Sequence, residues 1–317
     1  MRNLLGSLAL SWCAIAAAQY PVKPILMIVP LQAGTAVDNV ARSLGARMSE
    51  SLGRPVVVEN QPGAAGQIGT ERIAKAAPDG YTVGFVNDSI LTMLPNLNPR
   101  LPYDPLKDLA PVSRVAGNTF AIAVKTDYPA RTLADLVAMA KAKPGEIHYG
   151  SGGNGSPQHM AMELFSSAAG IKLTHVPYKG ATQALTDLLG GQVQVLAQGL
   201  GVLSAQAKGG KVRLLATTGA ARSVLTPDVP TAREAGVPGF EFSTWFAVVA
   251  PAATPRAIIE RLNAEIVKAA HLPEVRDSLG QQGYEIYATS PQQLDEAIRD
   301  GLARMGKAIR EANIKTD

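Results

Sequence analysis

Apolar positions fall along this chain in two kinds of block. Short unbroken apolar runs, such as Pro24-Ile-Leu-Met-Ile-Val29, suit strands buried on both faces of a parallel sheet. Longer blocks repeat at helical spacing. Val37, Val40, Ala41, Leu44, Met48 and Leu52 mark one face of a helix over 36–52, which Gly53 ends. Thr35 and Asp38 fit a capping box at its start. Strands over 55–59 and 81–86 follow, with the small-residue loop 60–66 and a helix to about residue 77 between them. This is a β-α-β-α-β order, which calls for a parallel α/β sheet.

The stretch 91–111 is rich in proline and asparagine and reads as irregular. The βα pattern then resumes: a strand over 120–125, a helix over 133–143 capped by Thr132, a strand from Ile147, and a helix that begins at Ser156-Pro157 and stops at Gly170. Strands over 172–177, 192–197 and 212–217 follow, with a helix from Ala181 after the first. The apolar run 240–250, which contains Trp245, carries the chain back. Helices capped at Thr254-Pro255 and Ser290-Pro291 complete it. The expected class is α/β, with residues 19–119 and 241–317 forming one discontinuous domain and 120–240 a second. A chain that leaves one domain, builds another and returns makes two crossovers, which is a natural hinge with a ligand cleft between its halves.

Composition narrows the function. Of 317 residues, 46% are hydrophobic and 18% charged, which suits a globular chain. A net charge of +4 and an aromatic content of 5% argue against nucleic-acid binding. Residues 1–18 have the form of a cleavable secretory signal: Arg2, a short apolar run, then Ala16-Ala17-Ala18. Cleavage would remove Cys13, the one cysteine, so the mature chain would have no disulfide. The expected location is the periplasm.

The richest chemistry lies in three loops that each follow a strand and precede a helix: Pro30–Thr35, Gly150–Ser156 and Pro177–Gly180. Ligands of open α/β sheets collect at such ends, and a helix N-terminus offers unpaired N–H donors and a partial positive charge. The predicted ligand is therefore a small anion. Gly150-Ser-Gly-Gly-Asn-Gly155 imitates a dinucleotide fingerprint, but Tyr178 and Lys179 stand where that fold needs an acid. No Gly-Lys-Ser/Thr follows, no G-x-S-x-G elbow occurs, and histidines 148, 159, 175 and 271 lack the spacing of a zinc helix. No cofactor or metal is expected. His148 and His175 read as structural. Ser156 and His159, three residues apart, leave open an exported hydrolase. A sensor or adaptor without a transport role is a further alternative.

More specific stretches carry a family likeness. They are Val56-Val-Val-Glu-Asn-Gln-Pro-Gly-Ala-Ala-Gly66, Pro78-Asp-Gly-Tyr-Thr82, Leu101-Pro-Tyr-Asp-Pro105, the 149–159 loop, His175-Val-Pro-Tyr-Lys-Gly180, Pro227-Asp-Val-Pro-Thr231, Glu234-Ala-Gly-Val-Pro-Gly239 and Ala250-Pro-Ala-Ala-Thr-Pro255. In this order they resemble the Bug family, the TctC-like extracytoplasmic solute receptors of tripartite tricarboxylate transporters. The resemblance implies a type II periplasmic-binding-protein fold, monomeric, closing on a small organic acid and serving membrane permease subunits or a sensor. The family's first turn has the form Pro-Phe-x-Pro-Gly-Gly-x-x-Asp. Here it reads Pro30-Leu-Gln-Ala-Gly-Thr-Ala-Val-Asp38, and Ala197-Gln198 replaces a frequent Phe-Asp pair. Loops and resemblance together nominate as ligand contacts Leu31, Gln32, Ala33, Gly34, Thr35, Asp38, Gly63, Ala64, Asn87, Ser151, Gly152, Asn154, Gly155, Ser156, His159, Pro177, Tyr178, Lys179 and Gln198.

Overall fold

A computed structural model describes residues 20–314; the expected signal segment lies outside them. Strand β1 (Ile25–Val29) pairs in parallel with β2 (Val56–Asn60) and β3 (Thr82–Asn87). Helix α1 (Ala36–Leu52) connects the first two, and α2 (Gln67–Ala74) connects β2 to β3. Beyond β3, a π-helical turn over Ser89–Met93 runs into the short α3 (Leu94–Leu97). The stretch expected to be irregular is thus partly helical, and α2 stops three residues before the predicted end.

Strand β4 (Leu109–Lys125) is 17 residues long, where only its last six were expected. Its first part pairs with β9 (Ser243–Pro251) and β10 (Tyr284–Ile286), and its second with β7 (Val195–Gly199) and β8 (Val212–Thr217). Beyond β7 lie β5 (His148–Ser151) and β6 (Thr174–Pro177), both parallel to their neighbours. The strand order is β2-β1-β3-β9-β4-β7-β5-β6, so among the described residues β4 is the one strand shared by two α/β halves. The second half carries α4 (Leu133–Ala142), α5 (Pro157–Ala169), α6 (Ala181–Gly190) and α7 (Leu200–Lys208). Helices α8 (Arg256–Ala270), α9 (Pro273–Gln281) and α10 (Pro291–Glu311) follow β9. Helix α10 spans both halves: Leu294 and Ile298 pack with β3 and β9, while Met305 and Ile309 pack with the core around Phe165 and Phe240.

Local chemistry set most helix ends where expected. The Thr132 hydroxyl accepts the Asp135 N–H, the Ser290 hydroxyl accepts the Gln293 N–H, and both third residues return a bond to the cap. Gly53 and Gly170 close their helices at φ 61° and 62°, a region that favours glycine. Two caps differ from expectation. Asp38 does not complete a box with Thr35, because its carboxylate takes the N–H of Gly34, one residue earlier. Pro255 occupies the cap position of α8, and the Thr254 hydroxyl is buried without a partner. Helices α7 and α9 and strand β10 were not anticipated. Gly201 in the first turn of α7 weakens its helical signal, yet tertiary packing needs that glycine: a Cβ there would overlap the carbonyl oxygen of Gln282 beside α9.

Candidate ligand-binding site

The carboxyl ends of β1, β5 and β6 bring three helix N-termini to one cavity between the halves. Its inner chamber encloses about 150 Å³. Ala36 and Val37 enter it from the start of α1, Gln158 from α5, and Ala181 and Thr182 from α6. First-turn N–H groups such as these have no partner within their own helices. At α6 the cap residue is Gly180, which has no side chain to take up those donors. Each N-terminus carries roughly half a positive charge. Lys179, exposed at the edge, is the one ionisable side chain among the residues lining the inner chamber. The cavity therefore attracts an anion mainly through oriented backbone dipoles.

An outer chamber of about 790 Å³ adjoins it and shares Gln32, Pro62, Gly63, Ala65, Gly152 and Lys179. The two halves meet across the cleft at Gln32, whose amide occupies the space that a Cβ on Gly180 would need. Leu94 meets Gly155 in the same way.

Of the residues nominated from sequence, Leu31, Gln32, Gly34, Thr35, Gly63, Asn87, Gly152, Ser156, Lys179 and Gln198 line the inner chamber. Ala64, Asn154, Pro177 and Tyr178 line the outer one. Five others lie outside both walls. Ala33 is exposed outside the chambers. Asp38 is buried behind its turn, where its carboxylate accepts from Gly34 N (2.9 Å), Arg42 Nε (3.1 Å) and Asn60 Nδ2 (2.9 Å). Burial pushes that carboxyl up, but Arg42, Gly34 and Asn60 outweigh it and hold it below the usual range. Asp38 thus shapes the turn and consumes the Gly34 N–H. Ser151 is fully buried, with Oγ 2.6 Å from His175 Nε2. Gly155 packs on Leu94, and its N–H donates to His159 Nδ1 at 3.1 Å.

His159 stacks on His175 at 4.2 Å between ring centroids, and His175 stacks in turn on Tyr149 at 4.8 Å. Burial, then the neighbouring His175, pushes the His159 imidazole down to about 3; burial alone takes His175 to about 4. Both are neutral and structural. The Ser156 hydroxyl caps α5 by accepting the His159 backbone N–H at 3.3 Å.

Sequence reasoning missed the floor of the chamber. Asn118 and Thr244 face each other across the β4–β9 ladder, and Phe120 and Phe246 line the wall nearby. The apolar run 240–250 was the available signal, because Thr244 interrupts it.

Asp88, between the lining residues Asn87 and Ser89, is buried and its Oδ1 has no hydrogen-bond partner. Burial pushes its carboxyl up to about 8, against the opposing pull of Arg304 and the N–H groups of Ser89 and Trp245. A folded-state value above the ordinary one means stability is present at low pH and is lost as pH rises toward 8. From pH 6.5 to 8.5 this group should cost the protein about 2 kcal/mol. Asp88→Asn cannot ionise, so urea titrations should show its stability falling less over that window. Parallel curves for the two proteins would refute the assignment.

Relatives share this architecture and sequence. The profile of the TctC family, the tripartite tricarboxylate transporter family receptors, matches residues 40–314. Protein BugT of Bordetella pertussis is 37% identical over 302 residues, covering 95% of this chain and 93% of BugT. A solved structure described as R. palustris Rpa4515 with adipate superposes with a TM-score of 0.90 at 33% identity, covering 93% of this chain and 99% of that one. MatC from Rhodopseudomonas palustris with bound malate gives 0.88 at 29% identity, covering 92% and 100%. With this match along nearly its whole length and this two-lobed cleft, the chain belongs to the TctC family of tripartite tricarboxylate transporter receptors.

Proposed function

We propose that the protein is a periplasmic solute-binding protein that captures a small organic acid in the cleft and delivers it to membrane permease subunits. The observation that carries this reading is the convergence of three helix N-termini and Lys179 on one cavity between the halves. Adipate and malate in the structures of two relatives support an acid as ligand. Residues 19–119 with 241–317 form one lobe and 120–240 the other, and β4, with the return of the chain into β9, acts as the hinge. Residues 1–18 direct export. Among the described residues no helix is long and apolar enough to cross a membrane.

Binding without turnover is the better reading of the Ser156–His159 pair. The serine hydroxyl is occupied as a helix cap, and the imidazole nitrogen Nδ1 accepts a backbone N–H. A general base needs a ring nitrogen within reach of the proton that it removes.

The test is a thermal-unfolding and calorimetric screen of mono-, di- and tricarboxylates on protein unfolded and refolded to strip bound ligand. A ligand at 100 times its Kd should stabilise the protein by roughly 2.7 kcal/mol. Saturable binding of a carboxylate with no chemical change in it is the expected result. Failure of every acid to bind would defeat the reading.

A further inference from the structure

Much of the polar lining of the inner chamber is already occupied with itself. The Ser89 hydroxyl donates to Asn87 Oδ1 at 3.0 Å, Gln158 Nε2 donates to Gln198 Oε1 at 3.2 Å, and the Thr35 hydroxyl donates to the Gln32 carbonyl at 2.8 Å. The same chamber has an apolar wall drawn from both halves. Leu31 rests on the core of the first half and Leu185 on a core of the second, and both are half-buried residues of the wall. Phe120 pairs with Gly199 in the β4–β7 ladder, Gly199 caps α7, and Val202 in the first turn of α7 joins Phe120 in the lining. Negative charge is missing. Among the described residues that line the chamber, none is acidic. Asp38 is taken up by Gly34, Arg42 and Asn60, and Asp88, outside the lining, accepts the N–H groups of Ser89 and Trp245.

From this lining, and resting on the proposed role as an acid receptor, we infer that the ligand is a carboxylate with an apolar body and no amino group, such as an alkanoate or a ring acid of similar bulk. The carboxylate sits against the helix N-termini, whose partial charge it satisfies. The body lies on Leu31, Leu185 and Val202, where each CH2 removed from water tightens binding about fourfold. An ammonium on the same skeleton would lose its hydration near the positive ends of helices, with no carboxylate to pair with it. Size adds a limit. A cavity of about 150 Å³ holds a molecule near benzene in bulk, so the enclosed body has about six non-hydrogen atoms.

Matched acids test this by calorimetry on the ligand-stripped full chain. From propanoate to pentanoate, Kd should fall about fourfold with each added carbon. Pentanoate should bind at least tenfold more tightly than norvaline, its 2-amino counterpart. It should exceed 4-hydroxybutanoate, in which a hydroxyl replaces the terminal methyl, by a similar factor. Gln198→Glu adds the missing carboxylate and should raise the affinity for norvaline while lowering that for pentanoate. Val202→Thr keeps the shape of the wall but adds a hydroxyl, and should narrow the gap between pentanoate and 4-hydroxybutanoate. Norvaline or 4-hydroxybutanoate bound as tightly as pentanoate would overturn the inference and leave the receptor role standing. So would binding of hydroxy acids or diacids with no binding of any alkanoate. If no acid of any kind binds, the receptor role falls, and the inference falls with it. Ratios unchanged in both variants would overturn the placement of the body on this wall.

Discussion

Between pH 7 and about pH 4.5, the stability difference between the protein and its His159→Asn/His175→Gln variant is expected to shift by about 5 kcal/mol in favour of the variant. The two imidazoles are stacked inside the second half, at about 3 and about 4, well below the ordinary value of 6.5. An unfolded chain takes up both protons as pH falls through 6.5, whereas the folded chain does not. Stability from these residues is therefore complete above pH 6.5 and is lost progressively on acidification, until the folded values are reached. The replacements are chosen for hydrogen bonding. An asparagine at position 159 can offer its amide oxygen in place of Nδ1 as acceptor for the Gly155 N–H, and a glutamine at position 175 can reach Ser151 as the imidazole Nε2 does. The variant should be less stable at pH 7 through lost stacking, yet fall less steeply on acidification. The measurement is urea unfolding at a series of pH values. Asp88 acts in the opposite direction in both proteins and cancels in the difference. A difference that stays constant with pH would show that the histidines do not titrate as their burial requires.

Gly180→Leu is expected to weaken ligand binding at least 100-fold, about 2.7 kcal/mol. The reason lies across the cleft. Gly180 has φ −175°, an extended conformation open to any residue, so its own half tolerates a side chain there. The space above it is filled by the Gln32 amide of the other half. A methyl could be met by turning Gln32 aside; the four carbons of leucine cannot, and the halves are held apart. Stability without ligand should drop only by about 1 kcal/mol, from a poorer cap on α6. Adding Gln32→Ala should restore part of the affinity by freeing the space, and that recovery separates a steric block from local damage. Tight binding by the single variant would show that the halves need not meet at this point.

The α/β class and the three anion-facing loops could be read from sequence because they depend on local rules. Thr35, Ser156, Thr132 and Ser290 are small oxygen-bearing residues at helix starts, and each caps its helix. Gly53 and Gly170 end helices for the equally local reason that they adopt φ > 0 freely. Asp38 and His159 show where such reading stops. Their positions beside the loops suggested ligand contact, but which way a side chain turns depends on the partners waiting behind the loop. Asn60 and Arg42 drew Asp38 inward, and the Gly155 N–H and the His175 ring did the same for His159.

The sequence by itself determined the alternation of strands and helices through most of the chain, most of the caps, and the family to which the loops belong, since each is written in neighbouring residues. Only the tertiary structure decided that β4 runs through both halves, that Asn118 and Thr244 meet on the chamber floor, and that Gln32 closes over Gly180. Those meetings join residues far apart in the chain. They are selected by the burial of whole faces against one another, not by any preference of the residues concerned.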